Sequence, residues 1–130
     1  MAEHAEVEIV RAFDPVMLPS SATVMMAARH MRSRQISAVL ITEGDAKLVG
    51  IFTERDAISR VLAEGLDPAT TTLAAVMTDN PETVGAEDTA EDIVRVMRDA
   101  HCRHLPILQA GKVVGIVSRG RFRAIAAPPV

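Results

Sequence analysis

The sequence predicts an α+β sandwich in which two pseudo-symmetric β-α-β-β-α repeats pack sheet to sheet as one compact module. Three observations predict it. The chain repeats itself 66 residues on, where Pro15-Val16-Met17-Leu18 meets Pro81-Glu82-Thr83-Val84. Helical and strand-like apolar spacings then follow in the same order in both halves. Finally, half a chain buries too little surface to be stable alone, whereas 130 residues with 48% apolar content can share one core.

The elements follow from spacing. Thr23 meets Thr89, and Val24, Ala27, Ala28 and Met31 meet Ala90, Ile93, Val94 and Met97. Both sets run i, i+3, i+4, i+7, the apolar face of an amphipathic helix. Ile36 meets Cys102, and Val39-Leu40-Ile41 meets Leu105-Pro106-Ile107. These open hairpins with strands at 39–41 and 48–52 in the first half, and at 105–108 and 113–117 in the second. Gly50 meets Gly115 with one residue fewer between, and the loss falls at the turns Glu43-Gly44-Asp45-Ala46 and Gln109-Ala110-Gly111, where length changes cost least. A closing helix is expected over about 54–64, stopped by Gly65, and its counterpart from 119 towards 126. The linker, 65–80, carries a helical turn near 72–77. The repeats are thus placed at 7–65 and 66–126.

Composition excludes several functions. A net charge of −3 and only three aromatic side chains, all Phe, argue against a nucleic-acid partner. No apolar run approaches the ~20 residues of a membrane span. The acidic start, MAEHAEVEIVR, lacks the order of a signal peptide, and one cysteine, Cys102, excludes an internal disulfide framework. A cytoplasmic location is expected. The chain has no Gly-x-Ser-x-Gly elbow, P-loop or dinucleotide fingerprint, so no enzyme is expected.

The second repeat also changes a phrase. GIFTERD, residues 50–56, returns as GIVSRGR, residues 115–121, with Arg121 replacing Asp56. This ending, with Val76-Met77-Thr78-Asp79-Asn80-Pro81 before the second repeat and Ile36-Ser37-Ala38 at the strand start, resembles the CBS domain, named after cystathionine β-synthase. Two in tandem resemble a Bateman module, here a stand-alone one, from about Val7 to Ala126.

The resemblance implies a regulatory module without catalysis. It implies that adenine nucleotides or S-adenosylmethionine bind between the repeats, with AMP, ADP and ATP as candidates and no cofactor required. It implies a homodimer and an effector protein not yet identified. The family's hydroxyl contacts phosphate and its Asp accepts from ribose. One site, with the pattern intact, would therefore use Thr53, Arg55 and Asp56, walled by Thr83, Val84, Ala90, Cys102, Arg103 and His104. The other, degenerate, would use Met17, Leu18, Ser37, Ala38, Ser118 and Arg121.

The residue chemistry fits these roles. Thr53 at a helix start has unpaired backbone N–H groups beside it, which favour an anion. A carboxylate accepts from two vicinal hydroxyls, whereas Arg only donates and would instead pair with phosphate. Arg119, Arg121 and Arg123 make the expected second helix start basic. Plainer readings stand beside these. Thr53-x-x-Asp56 is also the spacing of a capping box, and Asp88-x-x-Glu91 reads only as a cap. His101-Cys102-x-His104 is not a zinc spacing, so no metal is expected. Met31 and Met97 read as core, while Ile58, Val61 and Leu62 form an apolar stripe suited to a partner helix. A module that binds no ligand and serves dimerisation and docking is the alternative.

Overall fold

The computed structural model describes residues 4–125, with side chains over 12–119. The elements run β1 His4–Phe13, β2 Met17–Leu18, α1 Val24–Arg34, β3 Ala38–Glu43, β4 Lys47–Thr53, α2 Glu54–Asp56 continuing as a π-helix over Ala57–Leu62, α3 Leu73–Val76, β5 Thr78–Asp79, β6 Val84–Gly85, α4 Ala90–Ala100, β7 His104–Gln109 and β8 Lys112–Ile125. They form two four-stranded sheets, ordered β2-β3-β4-β5 and β1-β8-β7-β6. Each sheet takes its outer strand from the segment that precedes the other repeat. The linker strand β5 pairs with β4, and the N-terminal β1 pairs with β8.

The repeat is visible in the backbone. Thr23 and Thr89 cap α1 and α4, their hydroxyls accepting from Met26 N and Asp92 N. Gln35 and His101 close the same helices in the left-handed conformation, φ 53° and 56°. Each hairpin has a register shift at the matching place, after Ile41 and after Ile107. Strand alternation then sorts the core into layers. Val39, Ile41 and Phe52 face α1 and the linker helix with Leu73 and Val76. Ala38, Leu40 and Ile51 face the opposite sheet and meet Val113 and Ile116. Leu105 and Val117 pack on α4 with Ile93 and Met97. Met31 and Met97 are core residues, as the helix spacing predicts. Tip to tip, Val113 N donates to Ala46 O and Lys112 pairs with Asp45 at 2.5 Å.

Three expectations need correction. The closing helix expected from 119 towards 126 is strand β8 as far as Ile125, and Ala126 lies outside the described residues. The reason is β1, which pairs with β8 from His4↔Ile125 to Phe13↔Ile116 and gives the chain a ladder to continue. Arg121 therefore stands opposite Glu8 in a sheet, not at a helix start, and its side chain lies outside those described. The first closing helix forms, but past Asp56 it winds with i→i+5 bonds such as Ala63 N to Ile58 O. It ends as expected at Gly65, φ +69°, with Leu66 N bonded to Val61 O. The cap of α4 is Thr89 with Asp92, while Asp88 accepts from Gly85 N at 2.8 Å.

Candidate functional site

β4 ends at Thr53, which delivers the GIFTERD turn to the junction between the two sheets. Thr53 N donates to Asp56 Oδ2 at 3.0 Å, and Asp56 N donates to Thr53 Oγ1 at 3.2 Å. The capping box is complete. Glu54 N donates to Ser37 O at 2.9 Å, tying the turn to the strand start. The anion site expected at this helix start is thus partly spent, because the N–H groups of Thr53, Glu54 and Asp56 already have partners. Asp56 keeps acceptor capacity. A carboxylate offers about four lone-pair positions, and among the described residues its oxygens meet, beyond Thr53 N, only Arg60, with Nε 3.6 Å from Oδ1.

A cleft of about 660 Å³ opens against this turn, within the ~300–1,000 Å³ of small-molecule sites. Thr53, Arg55 and Asp56 form one side, and Cys102, Arg103 and His104 of the second repeat form the other. Six of the nine residues expected for the intact site thus share one cavity. Thr83, Val84 and Ala90 are not among its lining residues. Val84 is buried in the core on α4, Ala90 is exposed at the first turn of that helix, and Thr83 is half-buried just before β6. Thr78, Pro81 and Glu82 complete the outer wall instead. The segment 76–81 that leads into the second repeat carried the signal for Thr78 and Pro81.

A second cleft, about 940 Å³, lies on the other side of the same junction. Of the degenerate set it takes Ser37 and Ser118. Met17 is exposed, Leu18 packs under α1, and Ala38 is enclosed between the sheets. Ile36, Arg32 and Arg34 line this cleft too. Ser37, Glu54, His104 and Ser118 line both clefts and form the partition between them. Ser37 Oγ lies 2.7 Å from His104 Nε2, a hydrogen bond that joins the two repeats.

The electrostatics follow from burial. Desolvation, then the Arg103 charge, hold the His104 imidazole below its usual range, so it is neutral and able to share one proton with Ser37. Burial and then the Glu82 charge push the Cys102 thiol up, which makes it a poor nucleophile. Among the described residues, no group of three His, Cys, Asp or Glu is placed to hold a metal ion. Nor is any described helix long and apolar enough to cross a membrane.

Comparison with known proteins places the chain. A family model described as CBS domain matches twice, over residues 7–63 and 73–127. The CBS domain-containing protein CBSCBSPB3 of Arabidopsis thaliana is 36% identical over 111 residues, which is 85% of this chain and 20% of that protein. The chain thus spans about a fifth of the length of that plant relative. A CBS domain protein from Pyrobaculum aerophilum, solved in complex with AMP, superposes with a TM-score of 0.74 at 27% identity, over 82% of this chain and 81% of that one. The CBS domain pair of protein MJ0100, solved with 5′-methylthioadenosine and S-adenosyl-L-methionine, gives a TM-score of 0.73 at 27% identity, over 82% of each chain.

Proposed function

Because the chain belongs to the CBS domain family and carries two such domains in tandem, we propose that it is a non-catalytic regulatory module. It binds an adenosine-containing ligand between its repeats, at 7–65 and 66–126, and passes that occupancy to a partner protein in the cytoplasm. One observation carries this reading. The cleft at the end of β4 sets Thr53 and Asp56 against Cys102, Arg103 and His104 of the other repeat. A ligand there touches both halves, so it acts on their packing by its differential affinity for two arrangements. Asp56 takes the ribose hydroxyls. Because the N–H groups of Thr53, Glu54 and Asp56 are bonded within the chain, phosphate depends on the Thr53 hydroxyl and on Arg55 and Arg103. Both arginines are exposed at the mouth.

Thermal unfolding with AMP, ADP, ATP and S-adenosylmethionine tests this. A ligand at ~100 times its Kd stabilises by about 2.7 kcal/mol. The expected result is a shift of several degrees for one of them, lost in Asp56→Ala. No shift with any of them sinks the reading.

One observation favours a second role beside the first. Ile58 and Leu62 are 61% and 64% exposed on the π-wound helix, while Val61 beside them is 1% exposed. A homodimer that buries this stripe is the partner arrangement we propose. Sedimentation of wild type and Leu62→Asp would check it, with a monomeric wild type as the contrary result.

A further inference from the structure

Arg60 joins the Asp56 carboxylate to the chain that leads into the outer wall of the cleft, and it lies beyond the phrase that the two repeats share. Its Nε lies 3.6 Å from Asp56 Oδ1. Its Nη1 donates to the carbonyls of Val76 and Met77, both at 3.3 Å. Those carbonyls end α3. The next residue, Thr78, lines the cleft and begins β5, which pairs with β4 at Ile51 and Gly50. Met77 is packed tightly over Gly50, where an added Cβ would come within 2.5 Å of Met77 Sδ. One guanidinium therefore touches the carboxylate on one side of the cleft and the chain that builds the outer wall.

The local winding supports a specific purpose. Arg60 sits in the i→i+5 segment Ala57–Leu62, and such turns are uncommon and concentrate at functional sites. The Arg fork also matters. Its Nε and Nη donors address separate acceptors in one plane, which a lysine point charge cannot do.

Building on the ligand reading above, we propose that Arg60 is a positioning residue. It orients the Asp56 carboxylate towards the ribose and ties the helix that carries it to the Val76 and Met77 carbonyls, next to Thr78 of the outer wall. Arg60 does not touch the ligand itself. It acts through Asp56, so its loss is felt most by ligands that use both ribose hydroxyls.

Calorimetric titration with AMP and with 2′-deoxy-AMP tests this on wild type, Arg60→Ala, Arg60→Lys and Asp56→Ala. A hydrogen bond to a charged group is worth about tenfold or more in affinity. Wild type is expected to prefer AMP by about that factor. Arg60→Ala is expected to bind AMP about three- to fivefold more weakly and to lose part of the preference that Asp56→Ala loses whole. Arg60→Lys is expected to fall between. If Arg60→Ala proves unfolded by circular dichroism, Arg60→Gln carries the same comparison. Binding of AMP within twofold of wild type would overturn the proposal. So would an equal loss for both nucleotides with the preference intact, since that is the mark of a general structural role. Absence of heat in wild type with either nucleotide is a different result. It would bring down the ligand reading, and this proposal with it.

Discussion

Asp56 has a capping role in this structure and a proposed ligand role, and the two can be separated. As half of a capping box it accepts from Thr53 N at 3.0 Å, and as the proposed ligand carboxylate it would offer its remaining lone pairs to the cleft. Asp56→Ala removes the acceptor for Thr53 N and the Arg60 pair together. The Thr53 hydroxyl still caps the helix, and leaving Thr53 N without its acceptor costs about 1 kcal/mol. The Arg60 pair, at 3.6 Å and with Arg60 half exposed, adds a few tenths. The sum, about 1–1.5 kcal/mol, lowers the ligand-free Tm by roughly 3–6 °C in a domain of this size. Asp56→Asn keeps a carbonyl that accepts from Thr53 N, so it should lose less than half as much. Both substitutions should abolish the ligand-induced shift, because neither leaves acceptors for two hydroxyls. The assay is urea and thermal unfolding without ligand first, each variant then serving as its own baseline for ligand addition. The urea slope should not change, since the surface exposed on unfolding is the same. If Asp56→Ala unfolds at the wild-type midpoint, the box contributes nothing and this reasoning fails.

Other perturbations test the frame around the site. Leu40 is fully buried between the sheets, so Leu40→Ala should cost about 3 kcal/mol and leave one cooperative transition; two resolved transitions would mean that the halves do not share a core. Gly50→Ala should destabilise by about 1–3 kcal/mol, because its Cβ meets Met77 Sδ at 2.5 Å and Thr78 O at 3.1 Å, and Gly115→Ala should cost less, since its nearest neighbour is the Ile107 Cδ1 tip at 3.3 Å; equal urea midpoints would contradict this. Burial and then Arg103 depress the folded pKa of His104 below the ordinary 6.5, so the unfolded chain binds more protons just below that value. The stability is therefore full above 6.5 and lost as pH falls through the depressed folded pKa. Urea midpoints from about pH 8 to about pH 5 should show this decline, and His104→Gln should flatten it.

Much of this was legible because the chain says it twice. The i, i+3, i+4, i+7 faces and the two hairpins needed only the 66-residue offset. The misread closing helix has one cause, trust in the repeat over the local period. Arg119, Arg121 and Arg123 recur every second residue between Gly120, Phe122 and Ala124, which is strand spacing. Reading that stretch as a copy of 54–64 made it a helix. Its partner strand also carried a signal, since Glu6-Val7-Glu8-Ile9 alternates in the same way. At the cleft, the family resemblance supplied Thr53, Asp56 and the 102–104 wall. It missed Arg60, whose value comes from a π-winding and from carbonyls sixteen and seventeen residues on. No local pattern encodes such a contact.

The inequality of the two clefts goes deeper than the exchange of Asp56 for Arg121. In the first repeat the chain turns out of β4 into a helix, and the turn makes both the cap and the proposed ligand carboxylate. In the second it runs straight from Ser118 along β1 as far as Ile125. Ser118 is then a strand residue opposite His104, with no helix to cap. Restoring a carboxylate by Arg121→Asp would place it at a ladder position, not at the third residue of a helix. The second cleft has consequently lost the backbone on which the motif depends as well as its acidic residue. What it retains is the partition, where Ser37 and His104 hold the two repeats together at 2.7 Å. A ligand in the first cleft that displaces His104 must therefore act on the wall of the second, which places any communication between the clefts at that hydrogen bond.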